Sequence, residues 1–84
     1  MHKSETIRDT MIEVYSALQK YGYNPVNQIT GYLISGDPTY ITAKERARFE
    51  IQKFEKEAIL EDIVRWYLEH RLQQPKPEDM GIDE

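Results

Sequence analysis

Fifteen carboxylates, eleven lysines and arginines, two histidines and no cysteine are the groups with which this chain could do chemistry. His2 and His70 sit at opposite ends, and neither has a second histidine or a cysteine at metal-ligand spacing. Structural or solvent roles are expected of both. The sequence holds no G-x-S-x-G elbow, no Walker loop and no G-x-G-x-x-G turn. Ser35-Gly36-Asp37 places a hydroxyl beside a carboxylate, but a cap followed by a turn explains the same three residues more simply. No catalytic residue, metal or cofactor is expected.

Three other groupings carry candidate chemistry. Lys44, Arg48 and Lys53 lie near the start of a basic stretch. Residues 43–56 hold five bases and three acids, and residues 57–62 follow with three acids. At the positive end of a helix such bases could dock an anion or phosphate. Intrahelical pairing, Glu50 with Lys53 and Glu61 with Arg65, is the simpler account. Ser4, Thr6 and Thr10 are hydroxyls near a helix start, where phosphate is electrostatically comfortable but where ordinary caps also sit. Tyr32, Tyr40, Phe49 and Trp66 do not share one stripe. Ile12, Phe49, Ile59 and Trp66 are read as extra apolar faces that a homodimer would bury at one isologous interface.

The elements that must position these groups belong to one small domain, expected over 1–72, followed by a mobile acidic tail over 73–84. Eighty-four residues without a disulfide leave helix packing or oligomerisation as the means of stability. Nine aromatic residues argue against disorder. The net charge of −4 argues against nucleic acid as a partner and against docking on anionic membranes. Most of that charge lies in the tail, so residues 1–72 are close to neutral. No apolar run approaches the ~20 residues of a spanning helix, and no signal peptide is evident, so no membrane insertion and a cytoplasmic location are expected.

The spacing predicts an all-α fold, a compact bundle of three to five short helices per chain completed by homodimerisation. The first helix is expected from about Ser4 to Tyr21, with Ile7, Met11, Val14, Leu18 and Tyr21 on its buried face and Gly22 as its stop. Asn24-Pro25 starts a second, with Val26, Ile29 and Leu33 inward and an end at Ser35-Gly36. Gly31 inside it suggests the close approach of another backbone. Asp37-Pro38 opens a short turn. Thr42 and Glu45 have capping-box spacing, which starts a third helix at Ala43. From there to Leu72 no glycine or proline intervenes, but the apolar phase shifts by about half a turn. Either one long helix buries opposite faces or the helix breaks near Glu55-Lys56-Glu57, and the break is favoured.

The central segment, Val14 to Thr42, resembles the signature of the IreB-like (ReoM-like) small regulatory phosphoproteins of Gram-positive bacteria. The resemblance rests on Gly22-Tyr23-Asn24-Pro25, Asn27-Gln28, Gly31-Tyr32, Ser35-Gly36-Asp37-Pro38 and Tyr40-Ile41. It extends through Ala47-Arg48 and Glu55 to Ile63-Val64 and Tyr67-Leu68. It implies a helical homodimer without enzymatic activity. It also implies control by a wall-sensing membrane Ser/Thr kinase and its phosphatase. The implied output is peptidoglycan precursor synthesis and antibiotic tolerance, in some members through regulated proteolysis. The family's acceptor threonine lies in an arm upstream of the first helix, and this chain starts almost at the helix. The expectation is therefore that the arm is missing. Thr10-Met11 echoes the acceptor context only superficially, and the basic surface after Tyr40-Ile41 is thinner than in the family. A protein-binding adaptor without phosphorylation control is the alternative.

Overall fold

The computed structural model describes residues 6–72. His2, Ser4 and the acidic tail 73–84 lie outside the described residues. Four α-helices follow one another, α1 (Ile7–Lys20), α2 (Pro25–Ser35), α3 (Ala47–Ile51) and α4 (Lys56–Leu72). Two 3-10 turns, Pro38–Tyr40 and Lys44–Arg46, connect α2 to α3. No strand occurs among the described residues, as the all-α reading expected.

Local chemistry sets most of the boundaries. Thr6 caps α1, its Oγ1 accepting the Asp9 N–H at 3.0 Å. Gly22, at φ 87°, ends it. The Tyr23 N–H reaches the Leu18 carbonyl and the Gly22 N–H reaches that of Gln19, the paired bonds of a Schellman stop. Asn24 caps α2 through the Asn27 N–H, and Pro25 occupies the first helical position. Gly36 closes α2 in the left-handed region. Asp37 Oδ1 then accepts from both the backbone N–H and the hydroxyl of Thr39, which fixes the first 3-10 turn.

The core consists of Val14, Ala17, Leu18, Tyr32, Ile41, Ala47, Ile51 and Ile59. Ile7, Met11, Ile29, Leu33 and Phe54 pack around it. On α1 the buried face is centred on Thr10, Val14, Ala17 and Leu18, so Ile7 and Met11 flank it and Tyr21 is exposed. On α2 the expected inward face is rotated. Tyr32 is buried, while Val26 is 69% exposed. The turn after α2 causes this, because it folds back along the helix and Gln28 Nε2 donates to the Tyr40 carbonyl at 2.9 Å. Gly31 faces the same turn. A Cβ there would lie 2.6 Å from Tyr40 Cδ1, so the glycine makes room for an aromatic ring and not for a backbone.

The expected capping box does not form. Thr42 Oγ1 accepts from the Lys44 N–H instead, and α3 begins at Ala47, four residues later than Ala43. Glu45 (φ 57°) and Arg46 (φ 63°) both lie in the left-handed region, at a cost on the order of 1–2 kcal/mol each. The reason is tertiary, since the Glu45 carboxylate is held by the end of α1. The long helical stretch does break, over residues 52–55, and α4 restarts at Lys56. Of α4, Ile59 alone is fully buried.

Candidate functional site

Beyond Ile59, α4 buries no further side chain and exposes Leu60, Ile63, Val64, Trp66, Tyr67 and Leu68. The space between α1 and α4 is an apolar groove of about 600 Å³, floored by Met11, Ile12, Tyr15, Ile29, Ile63, Trp66 and Tyr67. Arg8 and Asp62 are the charged groups on its rim. A second apolar depression of about 490 Å³ adjoins it on the α2 side. The two share Tyr15, Ile29 and Ile63, so the surface is continuous from Trp66 across α1 to Val26 and Ile34. Ile34 is 79% exposed. A contiguous exposed apolar surface of this kind makes it the candidate interaction site.

Two of the residues expected to face a partner, Ile12 and Trp66, line this groove. Phe49 is exposed but lies elsewhere, with the Arg46 guanidinium 4.5 Å from its ring centroid and the Lys53 ammonium at 5.3 Å. Ile59 is a correction. It is 0% exposed within the single chain and belongs to the core. The phase break that suggested an outward face instead marks the point where α4 turns its first turn inward. Tyr15, Ile29, Ile63 and Tyr67 were not singled out as site residues from sequence. Tyr15 widens the α1 stripe, and Ile29 and Ile63 fit core periodicity, but α4 buries only Ile59 and leaves them lining an open surface.

The basic residues are dispersed. Lys44 precedes α3, with its ammonium 5.3 Å from the Tyr21 ring centroid. Arg48 Nε donates to the Ile41 carbonyl at 2.8 Å, a structural bond that ties the loop to α3. Lys53 Nζ lies 3.2 Å from Oε1 of the buried Glu50, an ion pair without hydrogen-bond alignment. Glu61 and Arg65 pair at 2.9 Å. Since α3 has five residues, the three bases do not gather at a helix start as an anion site requires.

Of the hydroxyls, Thr6 is exposed and engaged as a cap. Thr10 is 1% exposed, and its Oγ1 is buried without a hydrogen-bond partner. His70 stacks on Trp66 with ring centroids 3.9 Å apart, its Nδ1 2.8 Å from the Trp66 carbonyl oxygen, which is a packing role. Among the described residues no group of three or more His, Asp or Glu is placed to hold a metal, and no helix is long and apolar enough to cross a membrane.

The signature residues from Gly22 to Tyr40 are turn and packing chemistry. Gly22 and Gly36 supply positive φ, while Asn24, Pro25, Asn27, Asp37 and Pro38 form caps. Ser35 Oγ donates to the Gly31 carbonyl and accepts from the Asp37 N–H. Gln28, Gly31 and Tyr40 dock the first 3-10 turn, and Tyr32 fills the core, where burial raises its phenol pKa. Tyr23 contributes its N–H to the α1 stop and keeps its ring exposed. The signature thus describes how α2 is set against α1, which shapes the α2 side of the apolar surface.

The sequence matches the IreB regulatory phosphoprotein family over residues 1–69, a span that includes the whole signature and most of α4. It is 52% identical over 67 residues to a UPF0297 protein of Acetivibrio thermocellus, which covers 80% of this chain and 74% of that one. A family match over most of the chain and a relative of that identity place the chain in the IreB regulatory phosphoprotein family.

Proposed function

We propose that this chain is a non-catalytic regulator that works by binding proteins through the apolar surface between α1, α2 and α4. We further propose that a Ser/Thr kinase and its phosphatase control that binding. The continuous exposed surface from Trp66 to Val26 carries this reading, because a domain of this size gains nothing in stability by leaving it open. A second copy of the chain is one occupant, giving a homodimer. Proteins of peptidoglycan precursor synthesis and the proteolytic machinery acting on them are the further partners that the family resemblance implies, in the cytoplasm. Light scattering at micromolar concentration tests self-association, with a dimer expected and a strict monomer counting against it. Ile63→Glu places a charge in the shared part of the surface and should abolish the association without unfolding the chain, since Ile63 is exposed.

Phosphorylation control belongs to the same proposal. Of the two candidate hydroxyls that the structure describes, Thr6 and Thr10, Thr6 is the accessible one, at the positive end of α1 where a phosphate is favoured. Incubation with the cognate kinase should add about 80 Da to the intact mass, at Thr6 or at Ser4. The burial of Thr10 and the engagement of Thr6 as a cap favour the second reading, an adaptor without phosphorylation control. No gain in mass would support the adaptor.

A further inference from the structure

Residues 42–46 carry a contradiction between sequence and conformation. Thr42-Ala43-Lys44-Glu45 has capping-box spacing, and Ala43, Lys44, Glu45 and Arg46 are good helix formers. Yet Glu45 and Arg46 are both left-handed, a region that residues with side chains avoid. The carbonyl of Thr42 is reached by the Arg48 N–H at 3.1 Å, two residues beyond the helical partner, so the chain between them is looped out.

The opposing contacts come from the last residues of α1. Glu45 Oε2 accepts from Lys20 Nζ at 2.6 Å and from the Tyr21 hydroxyl at 3.0 Å. Lys44 and Lys20 both approach the Tyr21 ring. These side chains are substantially exposed, so the contacts are open to competition from solution. The Glu45 carboxylate is needed by both arrangements, and it can serve only one at a time. In the observed one it binds Lys20 and Tyr21. In a helical one it would reach back to the Thr42 N–H.

We infer that residues 43–46 form a two-state latch, in which release of Glu45 from Lys20 and Tyr21 lets α3 extend back to Ala43. The extension withdraws Lys44 from the Tyr21 ring, and so re-aims a basic side chain on this side of the molecule. Any partner or modification that engages Lys20 or Tyr21 releases the latch.

Solution NMR of the full chain tests this. In the wild type, residues 45 and 46 should show the strong intraresidue amide–Hα contact of positive φ. Lys20→Met removes the main tether. Glu45→Gln weakens the tether but keeps the cap, because glutamine serves a capping box as well. Both variants should lose the positive-φ signature and gain the helical contact between Thr42 Hα and the amide of residue 45. Adding Thr42→Ala to Glu45→Gln should remove that gain. Salt at about 1 M, which screens an exposed pair, should move the wild type in the same direction without any mutation. Retention of positive φ in both variants would overturn the latch. So would its absence in the wild type, or the loss of both signatures on release.

Discussion

Gly31 and Tyr40 illustrate how a side chain's absence can be as informative as its presence. Replacing Gly31 with alanine should add about 1 kcal/mol of helix propensity, yet the new Cβ meets the Tyr40 ring. Gly31→Ala should therefore destabilise the chain, by about 1–2 kcal/mol net of the propensity gain. In a Tyr40→Ala background the same change should turn stabilising, and urea denaturation of the four proteins reads the reversal of sign. At Asn24, loss of the cap to alanine should cost about 1 kcal/mol in the same assay. Lys20 and Glu45 give a pH signature. Hydrogen bonds from Lys20 and then Tyr21 hold the Glu45 carboxyl below the usual carboxylate range, and Glu45 raises the Lys20 ammonium. The Glu45 contribution is present above the ordinary carboxylate pKa and lost as pH falls through the lowered one. The Lys20 contribution is present below the ordinary ammonium pKa and lost as pH rises through the raised one. Asp37, lowered by its bonds from Thr39, shares the acid limb. The Glu45 share is thus the part of the acid-induced loss of stability that Glu45→Gln abolishes, and it should shrink in high salt because both partners are exposed.

The helices differ in how far their own sequences determine them. The starts of α1 and α2, the stops at Gly22 and Gly36 and the Asp37 turn were legible because their bonds span two to five residues. The α3 start was not legible, because its competitor, Lys20, lies 25 positions away from Glu45. The rotation of α2 escaped for the same reason, being set by Gln28 and Gly31 against Tyr40 rather than by the apolar pattern. Ile41 joined the core from a non-helical position, where periodicity says nothing. The break before α4 was legible from the phase of its apolar residues, although the role of Ile59 was not. Ile59 anchors α4, and Ile59→Ala should cost about 2–4 kcal/mol. Because that side chain is the helix's one fully buried contact, the loss should fall on α4 first, read as reduced helicity before the cooperative transition of α1 and α2.

Taken together, the four helices enclose a small core and leave beside it an open apolar surface, with Met11, Ile29 and Leu33 belonging to the margin of both. Ile12 and Trp66 could be flagged from sequence as residues without an obvious core place. Their meeting across a groove with Tyr15, Ile29 and Tyr67 follows from how α4 is placed against α1, which no local pattern encodes. Trp66→Ala should weaken any association at this surface by tenfold or more, the loss expected of an aromatic anchor worth about 2 kcal/mol. Light scattering or calorimetric dilution would measure it, and the urea midpoint should barely move because Trp66 is exposed.

The thin attachment of α4 has a consequence for how occupancy of the groove would be registered. A segment that opens at lower free energy than the rest of the chain exchanges its amide protons on its own timetable. A ligand that binds only the docked form stabilises it by RT ln(1 + [L]/Kd), about 2.7 kcal/mol at a hundredfold excess over Kd. Binding would then slow amide exchange in α4 by roughly a hundredfold, and exchange of α1 through global unfolding by the same factor, because neither open form binds. The helix that is least secured in the free chain exchanges fastest, and is thereby the one in which the arrival of a partner is read in the shortest time.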